Sequence, residues 1–411
     1  MTESVIPLDA PPTGVPPLTD TPQALARAIQ ALAKGHGPVA ADSERASGFR
    51  YRARAELVQL FRRGSGLILI DARALPDLSS VSEALAGVEW VFHAASQDLP
   101  CLRECGIEPD SVFDTELASR LLGEPRVGLA AVVARTLGLG LAKEHSAQDW
   151  SRRPLPKAWL NYAALDVAIL LDVRDVLERE LDEAGKLGIA RAEAAAVLAA
   201  PPPASRVEPW RRTSGRHALK DRRQLAVVRS LWQARDRLAA QRDIFPGRVL
   251  PDSAIVAAAT ALPRSAQDLG AIPPFNGRRQ VRLLGYWWTA VSKALSLPPE
   301  SLPPLRGPSR ESVPPVRHWS RRHPAAAQRI AQVKTDLAAL SESEHIPVEN
   351  LMQPDLVRSI VFAAPAAPAE VSQAMAAGGA RDWQIDAVAP VVVAAIADHP
   401  EPGEPPVSAQ V

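Results

Sequence analysis

Five residues in the first half of the chain have side chains and spacings that could do chemistry together: Asp42, Glu44, Asp98, Tyr162 and Asp166. Asp42 and Glu44 stand two apart at the end of the apolar run "PVAA". On a strand they project side by side from one face. Asp98 follows "WVFHAASQ", just past a second apolar strand and at the start of a helix. Tyr162 and Asp166 are four apart in a helical stretch and share one face of it. Carboxylates that face one another repel unless cations lie between them. Hard divalent ions such as Mg²⁺ or Mn²⁺ favour such oxygen ligands, and two of them about 4 Å apart can clamp the attacking and leaving oxygens of a phosphodiester displacement.

The elements around these residues follow from the apolar pattern. "VAADSE", "AELVQLF" and "GLILIDAR" are β-rich and joined by short connections, which favour antiparallel neighbours. A helical stretch near residues 80–86 precedes "VEWVFHAA", a strand that can therefore lie parallel. "SVFDTELASRLL" reads as a strand tip and a helix, and "GLAAVVARTLG" as a helix. "LPKAWLNYAALDVAILLDVRDVLEREL" reads as one long helix opened by Pro156. The prediction is a mixed sheet flanked by helices.

After "AAPPPASRVEPW" the periodic segments are helical. Two pairs of stretches there match at nearly one spacing: "PGRVLPDSAIV" with "PVENLMQPDLV", and "GRRQVRLLGYWWTAVSKAL" with "GARDWQIDAVAPVVVAAIA". They predict a duplicated helical module joined by a proline-rich linker. The fold class expected is α/β plus all-α. Residues 1–20 are expected to be disordered, 21–200 to form the α/β domain, and 201–215 a linker. Residues 216–298 form the first helical module, 299–318 the proline-rich linker, 319–400 the second, divergent module, and 401–411 a disordered tail.

The chain has 411 residues and a formal net charge of +1, which excludes a uniformly basic nucleic-acid coat. Charge is distributed unevenly, with eleven basic residues against four acids between Arg206 and Asp243. Such a run is a candidate phosphate-contacting track, represented by Arg211, Arg212, Arg222 and Arg223. Cys101 and Cys105, with no second pair, read as reduced thiols in a core. The first twenty residues carry acids and prolines where a secretory leader carries a basic end and an apolar core. No run approaches the roughly 18 apolar residues of a membrane span. A cytoplasmic protein, without membrane association and monomeric, is expected.

The acids in their contexts resemble the DEDD superfamily of 3′-to-5′ exonucleases. "DSE" is similar to its first motif, "HAASQDL" to its second and "YAALDV" to its third, in the form with tyrosine four residues before aspartate. The longer "DWSRRPLPKAWLNYAALDVAILL" resembles the ribonuclease D family, and the helical repeats resemble the HRDC modules that follow the nuclease there. The resemblance implies a ribonuclease-H-like nuclease domain with two HRDC-like modules, hydrolysing RNA from a free 3′ end and releasing nucleoside 5′-monophosphates. Asp42 would bridge two divalent ions, Mg²⁺ or Mn²⁺, with Glu44 and Asp166 completing the site of the nucleophilic water. Asp98 would serve the second ion and Tyr162 would orient the water. Precursors of tRNA are the expected substrate. A DNA-directed 3′-to-5′ exonuclease and a catalytically silent RNA-binding scaffold are the alternatives.

Other residues near the site read differently. Asp114, before a helix, reads as an N-cap. His93 could approach the scissile nucleotide. Trp150 is expected to pack, while Arg152 and Arg153 could touch substrate. Ser43 stands where the first motif more commonly has threonine; it is a small hydroxyl either way, and the departure is expected to have little consequence.

Overall fold

The computed structural model describes residues 5–141, 147–202, 206–307 and 313–400. Two short strands, β1 (Ile6–Leu8) and β2 (Leu18–Thr19), precede helix α1 (Pro22–Lys34). The expectation of disorder over residues 1–20 is thus corrected from residue 5 onward, because each short strand finds a partner strand. β1 pairs with β8 (Leu139–Leu141), and β2 pairs in parallel with β5 (Gly66–Ile70). Residues 1–4 and the tail 401–411 lie outside the described residues.

The main sheet adds β3 (His36–Arg45), β4 (Ala55–Arg63), β6 (Glu89–Phe92) and β7 (Ser111–Asp114), in the order β2-β5-β4-β3-β6-β7. The pair β3–β4 and the pair β4–β5 are antiparallel, while β6 is parallel to both β3 and β7. The short connections predicted the first two pairings. Both faces are buried, so the strands read as continuous apolar runs. Val39, Ala41, Val58, Leu60 and Ile70 face one core, which includes Leu25 and Leu32 of α1. Ala40, Leu57, Leu67 and Leu69 face the other.

Helices α2 (Ser79–Ala84), α3 (Leu99–Glu104), α4 (Thr115–Leu121) and α5 (Leu129–Leu137) surround the sheet. The predicted long helix is two, α6 (Lys157–Ala168) and α7 (Leu170–Glu183), separated at Ile169. Unbroken, it would run about 40 Å, beyond the sheet it covers. The break lets α7 bury Leu170, Leu171, Val173 and Leu177. Helix α8 (Leu187–Ala199) closes the domain.

The first helical module comprises α9 (Arg222–Arg242), α10 (Pro246–Val249), α11 (Asp252–Ala261), α12 (Ala266–Ala271), α13 (Arg278–Val281) and α14 (Leu284–Leu295). The second comprises α15 (Trp319–Arg322), α16 (Pro324–Glu344), α17 (Val348–Leu351), α18 (Pro354–Ala363), α19 (Pro368–Ala377) and α20 (Asp382–Asp398). The repeat is structural as well as sequential. Asp243 and His345 end the long helices α9 and α16 at φ 49° and 53°, and Leu262 and Ala364 end α11 and α18 at φ 46° and 45°. The second module shares a core with the nuclease domain, in which Trp319, Ile330 and Met375 join Leu177 and Leu181. The segment expected to link nuclease and first module contains a helical turn at Pro209–Arg212.

The loop before α6 is locked rather than free. Trp150 is fully buried against Trp159, with ring centroids 5.3 Å apart. Arg153 donates to both carboxylate oxygens of Asp71 at 2.6 Å, to the Glu56 carbonyl at 2.8 Å and to the Trp150 carbonyl at 2.7 Å. Burial alone would raise the Asp71 pKa, but the paired guanidinium holds it below the ordinary carboxylate value. The segment that might have met substrate therefore anchors α6 to the sheet edge. Arg153→Met should lower the unfolding free energy by about 3 kcal/mol, because it strands a buried carboxylate. Arg152→Met, at an exposed neighbour, should change it by under about 0.5 kcal/mol. Urea titration of the two variants measures the difference.

Candidate active site

β3 runs past the end of its parallel partner. Pairing with β6 ends at Ala40, opposite Val91, so Asp42 and Glu44 have no β6 neighbour on that side and open into a cleft of about 550 Å³. Helix α6 crosses this opening and contributes Tyr162 and Asp166 to the cleft wall. Carboxylate oxygens of Asp42, Glu44 and Asp166 lie within 4.8 Å of one another. Asp98, 4 % exposed at the start of α3, also lines the cleft but stands outside that trio.

The electrostatics are those of crowded acids. Burial raises the pKa of Asp42 and raises that of Asp166 well above the ordinary carboxylate value, with Asp42 pushing Asp166 further. Burial and the neighbouring Asp42, Asp166 and Asp98 push Glu44 up to about 10. Burial and Asp42 push Asp98 up to about 8. At a separation near 4.8 Å and an effective dielectric of about 20, each ionised pair costs about 3.5 kcal/mol. The three carboxylates therefore cannot all stay ionised unless positive charge lies between them. Oxygen-only donors arranged in this way fit hard divalent cations. Asp42, Glu44 and Asp166 could hold one directly, and Asp98 could reach a neighbouring one.

Tyr162 hydrogen-bonds Asp166 one helical turn away. Its phenol pKa lies above the ordinary value, through burial and the charges of Asp166, Glu44 and Asp42. The hydroxyl therefore keeps its proton.

Two neighbours fix Asp98. Ser43 donates to Asp98 Oδ1 at 2.6 Å, and its oxygen lies 3.2 Å from the Cys101 sulfur. The hydroxyl, which serine and threonine share, thus ties the second acid to the strand that carries the first two. Asp114 caps α4 as expected, accepting from Glu116 N and Leu117 N, and also accepts from Ala94 N at 3.0 Å and Ala95 N at 2.9 Å. It thereby holds Ala94 at φ 68°, in the turn that delivers Asp98. The sequence signalled only the cap.

His93 lines the cleft and shares a 2.9 Å hydrogen bond with Thr115 Oγ1. Burial pulls its pKa down to about 4. It is a neutral hydrogen-bonding group near neutrality and not a cation for phosphate. Arg45, absent from the sequence reading, also lines the cleft. Its position next to Glu44 in a strand end was the available signal.

Comparison with known proteins places this geometry. Residues 18–182 match the family described as 3′-5′ exonuclease, 224–290 the HRDC domain, and 312–396 the 3′ to 5′ exonuclease C-terminal domain. The chain is 32% identical to Ribonuclease D of Acidiphilium cryptum over 343 residues, covering 80% of this chain and 82% of that protein. It is 30% identical to Ribonuclease D of Escherichia coli over 299 residues, covering 69% and 76%. The chain belongs to the ribonuclease D family. It is a 3′–5′ exoribonuclease, with the metal-dependent type of nuclease domain and an acidic cluster to match. Among solved structures, a protein from Bifidobacterium adolescentis superposes with a TM-score of 0.88 at 37% identity, covering 95% of this chain and 99% of that one. Escherichia coli RNase D shares the fold at a TM-score of 0.67 and 24% identity, covering 94% and 99%. The two helical modules of this ribonuclease D family member thus carry two different family descriptions, although they repeat one another in structure.

The basic run requires a correction. Arg211 pairs with Glu208 at 2.7 Å and stacks over Trp210. Arg222 donates to the carbonyls of Leu302 and Pro303, and Arg223 to those of Leu295 and Leu297. Arg222 and Arg223 tie the inter-module segment to α9, because carbonyls at the end of α14 and beyond need donors, and Arg211 ties it to the Pro209–Arg212 turn by donating to the Pro304 carbonyl at 3.0 Å. Arg212 is exposed. A different set of cations surrounds a groove of about 470 Å³ between α9 and α14: Arg229, Arg237 and Lys293. No acid lines it.

The Ser43 contact gives a direct test. Ser43→Ala should reduce hydrolysis of a short RNA by about tenfold, the worth of one hydrogen bond to a charged group. Ser43→Thr keeps the hydroxyl and should stay within about threefold. Steady-state rates on a labelled oligonucleotide compare the two.

Proposed function

We propose that this exoribonuclease removes nucleotides from the free 3′ end of RNA with two divalent ions, Mg²⁺ or Mn²⁺, and that tRNA precursors are among its substrates. The observation that carries the reading is the convergence of Asp42, Glu44 and Asp166 within 4.8 Å in a cleft that Asp98 also lines. When bound, such ions supply Lewis acidity that lowers the pKa of water and neutralises charge on phosphate. Asp42, Glu44 and Asp166 would hold one such ion, and Asp98 would serve a second beside it. The protonated Tyr162 hydroxyl, bonded to Asp166, orients the attacking water and does not abstract its proton. The water oxygen bonds to phosphorus, the bond to the upstream 3′ oxygen breaks, and a nucleoside 5′-monophosphate leaves.

The Escherichia coli relative is described as an exoribonuclease involved in structured RNA processing, which supports a structured substrate here. The groove of Arg229, Arg237 and Lys293 fits the phosphates of such an RNA, so two arginines of the Arg206–Arg242 run together with Lys293 of α14 take the part expected of the whole run. Neither alternative gains support. A silent scaffold need not keep all four acids and the tyrosine, and a DNA-directed enzyme is not the family's activity. We place the protein in the cytoplasm as a monomer, in keeping with its two buried free thiols.

Asp42→Asn or Asp166→Asn should lower turnover more than a thousandfold with the fold intact by circular dichroism, and EDTA should do so reversibly in the wild type. Circular RNA should be resistant; internal cleavage of a circle would overturn the reading, as would equal turnover of DNA and RNA of one sequence. Replacing Arg237 and Lys293 by glutamine should weaken tRNA binding and make the slope of log affinity against log salt shallower by about 1.5. Turnover of a short oligonucleotide should stay unchanged.

A further inference from the structure

Gln59 is the one glutamine of β4, and it is fully buried. Neither its Oε1 nor its Nε2 has a hydrogen-bond partner among the described residues. A buried amide with both ends unpaired is a standing cost to the fold, and native structures keep such groups rarely and for a reason. Apolar neighbours on both sides, Leu57, Val58, Leu60 and Phe61, show that the strand could be apolar throughout. The residue is also a sequence anomaly, a polar side chain in the middle of "AELVQLF".

Its address supplies the reason. Gln59 is the cross-strand partner of Asp42 in the β3–β4 ladder. Opposite residues of an antiparallel pair put their side chains on one face, with Cβ atoms roughly 5 Å apart. The flanking burial agrees. Leu57 and Ala40 belong to the core under α6, whereas Val58, Leu60 and Ala41 belong to the core on the opposite face. Gln59 and Asp42 therefore share the α6 face, the amide sealed beneath and the carboxylate at the cleft. No direct hydrogen bond joins them. A single internal water, which needs two to four polar partners, would find them in the Gln59 amide and the Asp42 carboxylate.

We propose that Gln59 is a positioning residue for Asp42. Its amide fixes the carboxylate from beneath, through a bridging water, in the orientation that a cation ligand requires. Groups that hold a ligand in this way typically set metal affinity by ten- to a hundredfold. The inference rests on Asp42 being a cation ligand, and the experiment separates the two claims. Failure of the wild type to bind Mn²⁺ would sink that reading itself, before any variant is compared.

The test uses the full chain and Mn²⁺ alone, with affinity from titration calorimetry and Tm measured without metal. Gln59→Met keeps the length of the side chain and removes both polar ends. It should leave Tm unchanged or raised, while Mn²⁺ binds about tenfold more weakly. Gln59→Asn keeps the amide but opens a small cavity, so it should lower Tm and lose less affinity than the methionine variant. Leu57→Met, on the same face of the same strand, controls for repacking and should bind Mn²⁺ within about twofold of wild type. Wild-type affinity in Gln59→Met would overturn the proposal. So would affinity that falls in step with Tm across the Gln59 variants, since that is the behaviour of a residue that only packs.

Discussion

The crowding of Asp42, Glu44 and Asp166 is the constraint on which the rest of the nuclease domain depends. Three carboxylates within 4.8 Å would, if all were ionised, repel by an amount that rivals the whole stability of a typical domain. Chain segments carrying them would separate if they were free to do so. They are not, because each segment is secured at a distance from the charge. β3 is a central strand, paired on both sides before it reaches Asp42. Helix α6 is pinned at its N-terminal side by the Arg153–Asp71 pair and the buried Trp150–Trp159 contact. The turn before Asp98 is clamped by Asp114. Stability made elsewhere in the domain thus offsets an arrangement that is unfavourable until cations arrive.

The helical modules attach to this frame in different ways. The second shares a continuous apolar core with α7 and α8 and adds the contact of Arg381 and Trp383 with Glu193. It is part of the nuclease's support. The first makes polar contacts with the loop between β3 and β4. Phe245 N donates to the Phe49 carbonyl at 2.9 Å, and Arg248 donates to the Gly48 carbonyl at 2.7 Å while covering the Phe49 ring. Polar contacts of this kind are weaker than a shared core, so the first module is the more separable of the two. It is also the one with an acid-free groove of cations.

Much of this was legible in the chain alone. The spacings of Asp42 with Glu44 and of Tyr162 with Asp166 are fixed by strand and helix periodicity, so each pair had to share a face wherever its element lay. Alternation and connection length gave the strands β3 to β6 and their relative directions, and the internal match gave the repeat of the helical modules. The bland readings of Asp114 as a cap and Trp150 as a packing residue also followed from local chemistry.

Tertiary structure decided whatever depends on what lies opposite. Residues 5–20 looked disordered because strands as short as β1 and β2 carry no periodicity of their own and exist only by pairing with a partner strand. The break at Ile169 leaves no mark on the helical pattern of the sequence. What the Ser43 hydroxyl bonds was hidden because its partner, Asp98, is far away in sequence. The arginines of the basic run looked alike, yet Arg211, Arg222 and Arg223 are spent on a neighbouring pair, carbonyls and a ring, while Arg229 and Arg237 join Lys293 of another helix around one groove. Sequence determined which groups could do chemistry and which shared a face, since periodicity is local. Only the fold decided which of them meet, since pairing, burial and the field of neighbouring charges arise between segments distant in the chain.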